Sequence, residues 1–255
     1  MNRRHFVTAA ASAGAASVPA SAAGGNAIIE LRYYRLRNGS QVQRTSEFLS
    51  KSFAPAARKA GAGPIGFFSS VIAEQGPFAL ALVAYPSLAA VGEVADRMMA
   101  DKQYRQGWEQ YHGGAELGFI RMENMLLKAF DVQPQVVPPP AGGKGHIFEL
   151  RTYESNNAKA AAAKIKMFNE GEAGIFKRLG FAPVFFGETL VGRNLPNLMY
   201  MTTLESLADR EKKWASFSAD PEWQKMRAIP EYSDSLIVSN TSISLLRPLP
   251  FSEIK

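Results

Sequence analysis

The sequence predicts an α+β fold: two tandem ferredoxin-like split βαβ domains that form an intramolecular dimeric α/β barrel. Three observations lead there. The stretch Ile29-Glu30-Leu31-Arg32-Tyr33-Tyr34 returns as Phe148-Glu149-Leu150-Arg151-Thr152-Tyr153, an offset of 149 − 30 = 119. The same offset relates Pro64 to Pro183, Phe67 to Phe186, Pro77 to Pro196, Ser87-Leu88-Ala89 to Ser206-Leu207-Ala208, Asp101 to Asp220, and Leu126-Leu127-Lys128 to Leu245-Leu246-Arg247. An offset held this long marks a duplicated unit. Within each unit the hydrophobic period alternates between that of a strand and that of a helix. Between the units, Pro138-Pro139-Pro140 and Gly142-Gly143 punctuate residues 131–145, a linker composition.

In the first unit, residues 27–130, a strand-length run of branched and aromatic residues from Ala27 to Leu36 stops at the turn signal Asn38-Gly39. From Ser40 to Ala60 the apolar positions Phe48, Leu49, Phe53, Ala56, Ala57 and Ala60 keep helical spacing, and Gly61 closes the helix. Strands over 65–72 and 78–85 flank the hairpin turn Gln75-Gly76-Pro77. Leu88, Val91, Ala95 and Met98 give a second helix, Asp101 caps a third through Tyr111, and Leu117 to Phe130 returns as the last strand. This is the order of a split βαβ unit.

The second unit, residues 146–250, repeats it: strand 146–154, helix 158–179, strands 182–192 and 197–204, helix 206–218, a short helix and strand 235–247. Asp220-Pro221 starts the short helix, with Asp as cap and Pro at the first helical position. A four-stranded sheet with helices on one face needs cover on the other. Two such sheets in one chain can cover each other.

Composition narrows function mainly by exclusion. Residues 26–130 carry 12 basic and 9 acidic side chains, and residues 145–255 carry 14 and 13. Neither half is basic enough to track phosphates, so nucleic acid is set aside. The chain has no cysteine, which removes disulfides, thiolate nucleophiles and thiolate metal sites. At the start, Arg3-Arg4 precede an apolar, alanine-rich run and then Pro19-Ala20-Ser21-Ala22-Ala23. This resembles a twin-arginine export signal over residues 1–23 with cleavage near Ala22 or Ala23. Export would place the mature protein in the periplasm or outside the cell, with no integral membrane span left, since the run is too short and too poor in Leu and Ile to cross a bilayer comfortably.

The second unit carries a family resemblance. Ile147-Phe148-Glu149-Leu150-Arg151-Thr152-Tyr153, Gly180-Phe181-Ala182-Pro183-Val184-Phe185-Phe186-Gly187-Glu188, Leu195-Pro196-Asn197-Leu198-Met199-Tyr200-Met201, Trp214, Asp220-Pro221-Glu222-Trp223 and the ending Leu246-Arg247-Pro248-Leu249-Pro250-Phe251 resemble the NIPSNAP domain family. The first unit resembles it less, with Asp101-Lys102-Gln103-Tyr104 in place of Asp220-Pro221-Glu222-Trp223. The resemblance implies the dimeric α/β-barrel superfamily, which includes heme enzymes, cofactor-free monooxygenases and isomerases. It raises the expectation of a small-molecule pocket without naming a reaction, and it allows association into a homodimer. A heme would require an axial ligand, usually histidine. The helices of the second unit contain none, so no cofactor is expected. His112 and His146 have no metal-ligand spacing, so no metal is expected either.

Differences between the copies mark the candidate site. Glu172 interrupts an apolar helical stripe of Ile165, Phe168, Ile175 or Phe176, and Leu179, where the first copy has Phe53. Arg210 interrupts the stripe of Leu207, Trp214 and Phe217, where the first copy has Val91. One buried charge alone is prohibitive, whereas a paired set is tolerated, so Glu172 and Arg210 are expected to meet between helices and sheet. Gly171 and Gly174 beside Glu172 would admit a ligand or another backbone. The competing reading is a purely structural ion pair with glycines for close packing. Arg151 and Tyr153 alternate with Phe148 and Leu150 and would join the pair if their face looks toward the helices. Trp214 is core or pocket wall, and Asn240 could add a polar contact at the last strand. The functional expectation is a small organic ligand held in the second unit. The alternatives are a protein-interaction scaffold or a cofactor-free monooxygenase or isomerase.

Overall fold

The computed structural model describes residues 25–140 and 147–255. The expected export segment, with Ala22 and Ala23, lies outside the described residues, as does His146. The first copy consists of β1 (Ile28–Arg35), a long helix α1 (residues 40–59), β2 (Ile65–Ile72), β3 (Phe78–Tyr85), α2 (Leu88–Ala100), α3 (Lys102–His112) and β4 (Arg121–Ala129). The second consists of β5 (Ile147–Glu154), a long helix α4 (residues 158–178), β6 (Ala182–Val191), β7 (Asn197–Leu204), α5 (Leu207–Ala219), α6 (Pro221–Arg227), a short helix α7 (Asp234–Ile237) and β8 (Asn240–Pro248). The caps repeat with the sequence. Ser87 and Ser206 accept from the backbone of Ala90 and Asp209, and Asp101 and Asp220 cap the helices that follow them.

The eight strands close into one antiparallel barrel in the order β1-β3-β2-β8-β5-β7-β6-β4. Two seams join the copies. At one, β2 pairs with β8, and at the other β4 pairs with β6, where Lys128 lies opposite Glu188. Backbone bonds cross between copies beyond the seams: Leu249 N–H donates to Phe67 O (2.8 Å) and Glu253 N–H to Ile65 O (3.1 Å). The equivalent bonds run the other way, from Phe130 N–H to Phe186 O (3.0 Å) and from Val137 N–H to Val184 O (2.9 Å). The stretch read as a linker is therefore docked through residue 137, where buried Gln133 also donates to Pro183 O and Val184 O.

The faces of the strands are settled by which side is apolar. Leu31, Leu80, Phe148, Leu150, Phe185 and Met201 point into the barrel and fill it, with the rings of Phe68 and Phe148 4.9 Å apart. The opposite, polar-bearing face of β5 looks toward the helices, so Glu149 and Tyr153 do not line a central channel.

Two expectations need correction. The last strand does not begin at 235: residues 234–237 are helical, and β8 starts at Asn240. Asp234, Ser235 and Leu236 lack the alternation of a half-buried strand, and the branched run resumes only afterward. The long helices are also not regular. In α1, Ser40–Phe48 passes through a π turn at Leu49–Phe53 into Ala54–Lys59. In α4, Ala158–Met167 passes through a π turn at Phe168–Glu172 into Ala173–Arg178. Such turns insert about one residue into the helical register and cluster at functional positions. Among the described residues, no helix is long and apolar enough to cross a membrane.

Candidate functional site

The π turn of α4 decides which side chains meet. In a regular helix two turns span about 7 residues, and the inserted residue stretches that to about 8. Lys164 and Glu172, eight apart, therefore share the buried face, and Ile165 is displaced to its edge. The Lys164 ammonium donates to Glu172 Oε2 at 2.8 Å, and both side chains are only 2% exposed. Three rings surround the ammonium: Tyr153, Phe168 and Trp223, with centroids at 5.4, 5.0 and 5.5 Å. Cation–π attraction of this kind partly replaces the water a buried ammonium loses.

Glu172 therefore pairs with Lys164 and not, as the sequence suggests, with Arg210. Arg210 instead reaches β5, where its Nε donates to Glu149 Oε2 (2.7 Å) and its Nη2 to Glu149 Oε1 (3.2 Å). Glu149 is fully buried and also accepts from Arg151 Nε (2.6 Å) and Trp214 Nε1 (3.2 Å). The Arg151 guanidinium stacks 3.7 Å from the Trp214 ring, and its Nη1 donates to the Tyr153 hydroxyl at 3.2 Å. That hydroxyl lies 2.9 Å from the hydroxyl of Tyr200, which is fully buried on β7. A polar seam thus runs between sheet and helices from Arg210 through Glu149 and Arg151 to the two tyrosines. Tyr153 brings its end to the Lys164–Glu172 pair.

A cavity of about 400 Å³ opens at that end, lined by Tyr153, Lys164, Glu172, Phe217, Trp223, Asp234, Ser235, Val238 and Thr241. Of the residues singled out in the sequence, Glu172 and Tyr153 line it, and Arg151, Arg210 and Trp214 stand behind it in the seam. Asn240 does not join them: it is exposed, and its amide donates to Glu154 Oε1 at 3.0 Å. Gly171 admits a side chain rather than a ligand, since a Cβ there would collide with Met226 Cε, and Gly174 has nothing within 4 Å. Lys164 and Asp234 are the charged wall residues that the sequence does not announce. A regular helical period hides the first, and reading 235–247 as strand hides the second.

Burial holds the Glu172 carboxyl above the ordinary carboxylate range, with Lys164 opposing the shift. Burial also pushes the Tyr200 hydroxyl well above the ordinary tyrosine value, and Tyr153 beside it adds to this. Glu172 Oε1 takes no hydrogen bond from any described residue, and the Lys164 ammonium gives one donor to Glu172 and a weak one to Met167 Sδ at 3.6 Å. The pair therefore presents both a donor and an acceptor to the cavity. Among the described residues no three His, Cys, Asp or Glu side chains gather as a metal site. Of the usual axial ligands to heme iron, His, Cys, Met and Tyr, the cavity wall carries only Tyr153, whose hydroxyl is engaged by Arg151 and Tyr200.

A family model, NIPSNAP, matches residues 29–134 and again residues 148–253. The chain belongs to the NIPSNAP family. The two matches fall on the two halves of the barrel, so this NIPSNAP chain carries the family unit twice. A protein of Fusobacterium nucleatum subsp. nucleatum, provisionally named a monooxygenase, is similar in fold: 8% identity, TM-score 0.58, covering 89% of this chain and 94% of that one. Another provisionally named monooxygenase, from Lactobacillus acidophilus, gives 10% identity and TM-score 0.56 over 88% and 94% of the two chains. A NIPSNAP family protein of Agrobacterium tumefaciens is 24% identical over 46% of this chain and 98% of its own, with TM-score 0.39. No curated protein matches the chain.

Proposed function

We propose that this NIPSNAP protein binds one small aromatic molecule in the cavity of its second copy. The observation behind this reading is the Lys164–Glu172 pair. It is buried, yet it leaves a donor and an acceptor unused beside aromatic walls, an arrangement a purely structural pair would have no need to keep. A ring would lie among Tyr153, Phe217 and Trp223, and a polar end with neighbouring acceptor and donor, as in a hydroxyaryl ketone or hydroxyaryl acid, would meet Lys164 and Glu172. The seam through Arg151 and Glu149 would hold Tyr153 in place. A thermal-shift panel of hydroxyaryl acids, aryl ketones and lactones, run on the wild type and on Glu172→Gln, tests this. At least one compound should stabilise the wild type and lose most of its effect on the variant. The reading fails if none stabilises the wild type, or if every effect survives the substitution.

A second reading, proton transfer of the kind a cofactor-free monooxygenase or isomerase uses, has one observation in its favour. Burial raises the Glu172 carboxyl, the direction that acid–base work by a carboxylate requires. Under that reading Glu172→Gln keeps the ligand but abolishes turnover, whereas under simple binding no turnover exists to lose. We further propose that the mature protein works outside the cytoplasm, on the strength of Arg3-Arg4 and the small residues ending at Ala23. Cell fractionation of the wild type and of Arg3→Lys/Arg4→Lys, with mass determination of the mature N-terminus, tests this. Cytoplasmic retention of the uncut wild-type chain would refute it.

A further inference from the structure

The first copy has a cleft of its own, in a different place. It measures about 270 Å³ and lies between β1 and α2, with Glu30, Phe53, Val91, Ala95, Met98 and Tyr104 among its walls. The internal repeat explains why it is open. Positions 91 and 95 correspond to 210 and 214, so the volume that Arg210 and Trp214 occupy in the second copy is faced in the first by Val91 and Ala95.

The carboxylate beneath shows what is missing. Glu149 receives two donors at Oε2, from Arg210 Nε (2.7 Å) and Trp214 Nε1 (3.2 Å). Its counterpart Glu30, 2% exposed, takes Arg32 Nε (3.0 Å), Arg32 Nη2 (2.7 Å) and Asn124 Nδ2 (2.9 Å), all at Oε1. Among the described residues, Glu30 Oε2 accepts only from the Tyr85 hydroxyl, at 2.8 Å. Glu30 Oε2 thus carries one donor where Glu149 Oε2 carries two. The Phe53 and Tyr104 rings and the Met98 and Met99 thioethers in its walls favour a cation attached to an apolar body, and the Arg32 guanidinium shares the cleft with them.

We propose that the first-copy cleft is a second ligand site, for a small organic amine or amidine. Its cationic head takes the place on Glu30 Oε2 that Arg210 takes on Glu149, and its apolar body takes the place of Trp214. Because Arg32 already neutralises Glu30, the site selects its ligand through one charge-assisted hydrogen bond and ring contacts rather than through a net negative field. This site is independent of the Lys164–Glu172 cavity.

Titration calorimetry of the whole chain with phenylbutylamine, and with phenylbutanoate and phenylbutanol as matched controls, tests the proposal. The amine should bind, the alcohol should bind about tenfold more weakly, and the acid should not bind. Val91→Arg/Ala95→Trp fills the cleft with the second copy's own side chains and should abolish amine binding. Val91 is half-buried and Ala95 exposed, so both accept larger groups. Ala95→Leu gives a second way to block the cleft, and Glu30→Gln should weaken the amine about tenfold. The proposal is overturned if the amine does not bind, if the acid binds as well as the amine, or if amine binding persists in a folded cleft-filling variant.

Discussion

Replacing Lys164 with methionine is the most direct probe of the buried pair. Methionine is unbranched and only one atom shorter, so packing among Tyr153, Phe168 and Trp223 is largely kept while the charge is removed. Glu172 is then left 2% exposed without its 2.8 Å partner. Breaking a buried pair from one side costs about 3–5 kcal/mol. For a protein of this size that lowers the melting temperature by roughly 6–20 °C, at about 2–4 °C per kcal/mol. The loss depends on pH. Burial holds the folded-state carboxyl above its reference value of 4.5, and removing Lys164 takes away the main influence opposing that shift. For a group whose pKa rises on folding, its stabilising contribution is complete below the unfolded value and is lost as pH rises through the folded value. Lys164→Met should therefore lie closest to the wild type in mildly acidic buffer and fall progressively behind it toward alkaline pH. The double variant Lys164→Met/Glu172→Leu should recover most of the loss at alkaline pH, because no charge remains buried. Thermal melts followed by circular dichroism across this range provide the measurement. A single variant that melts with the wild type at alkaline pH, or a double variant less stable than the single, would refute the account of the pair as charged and buried.

Two further outcomes concern stability alone. Gly174 lies in the helical segment after the π turn, with nothing within 4 Å of the position a methyl group would take, so Gly174→Ala should raise stability by about 0.5–1 kcal/mol in urea denaturation, and destabilisation would show a close contact that the geometry lacks. Thr202 is fully buried on β7 with a hydroxyl that finds no partner among the described residues, so Thr202→Val should be neutral or stabilising by up to about 1 kcal/mol in the same assay, and a loss above that would mean the hydroxyl is bonded.

The repeat makes the architecture legible because duplication is recorded position by position: Ser87 and Ser206, or Asp101 and Asp220, cap the same helices in both halves. Strands 65–72, 78–85 and 197–204 fall where their branched residues and flanking turns put them. Comparing copies also leads to the helix whose Glu172 lines the cavity, since Glu172 stands where the first copy has Phe53. The partner of Glu172 is not legible because helical spacing assumes 3.6 residues per turn, and the π turn moves Lys164 onto the face that Ile165 would otherwise hold. Arg210 is obscured for a related reason: its partner Glu149 lies on a strand, and nothing local in the sequence records which strand face meets the helices. Asp234 is hidden because a four-residue helix leaves almost no periodic signal.

The bonds that cross between copies bear on how the two clefts came to differ. Where two identical chains assemble such a barrel, each substitution appears twice, and a change that opens one cleft opens its twin. Here Phe130 and Val137 hold the second half while Leu249 and Glu253 hold the first, so the halves stay assembled without being equal. A bulky pair at 210 and 214 and a small pair at 91 and 95 can coexist because each needs to suit one half only. The duplication thus supplies two separately adjustable compartments on one frame, and a substitution in either can be selected without altering the other.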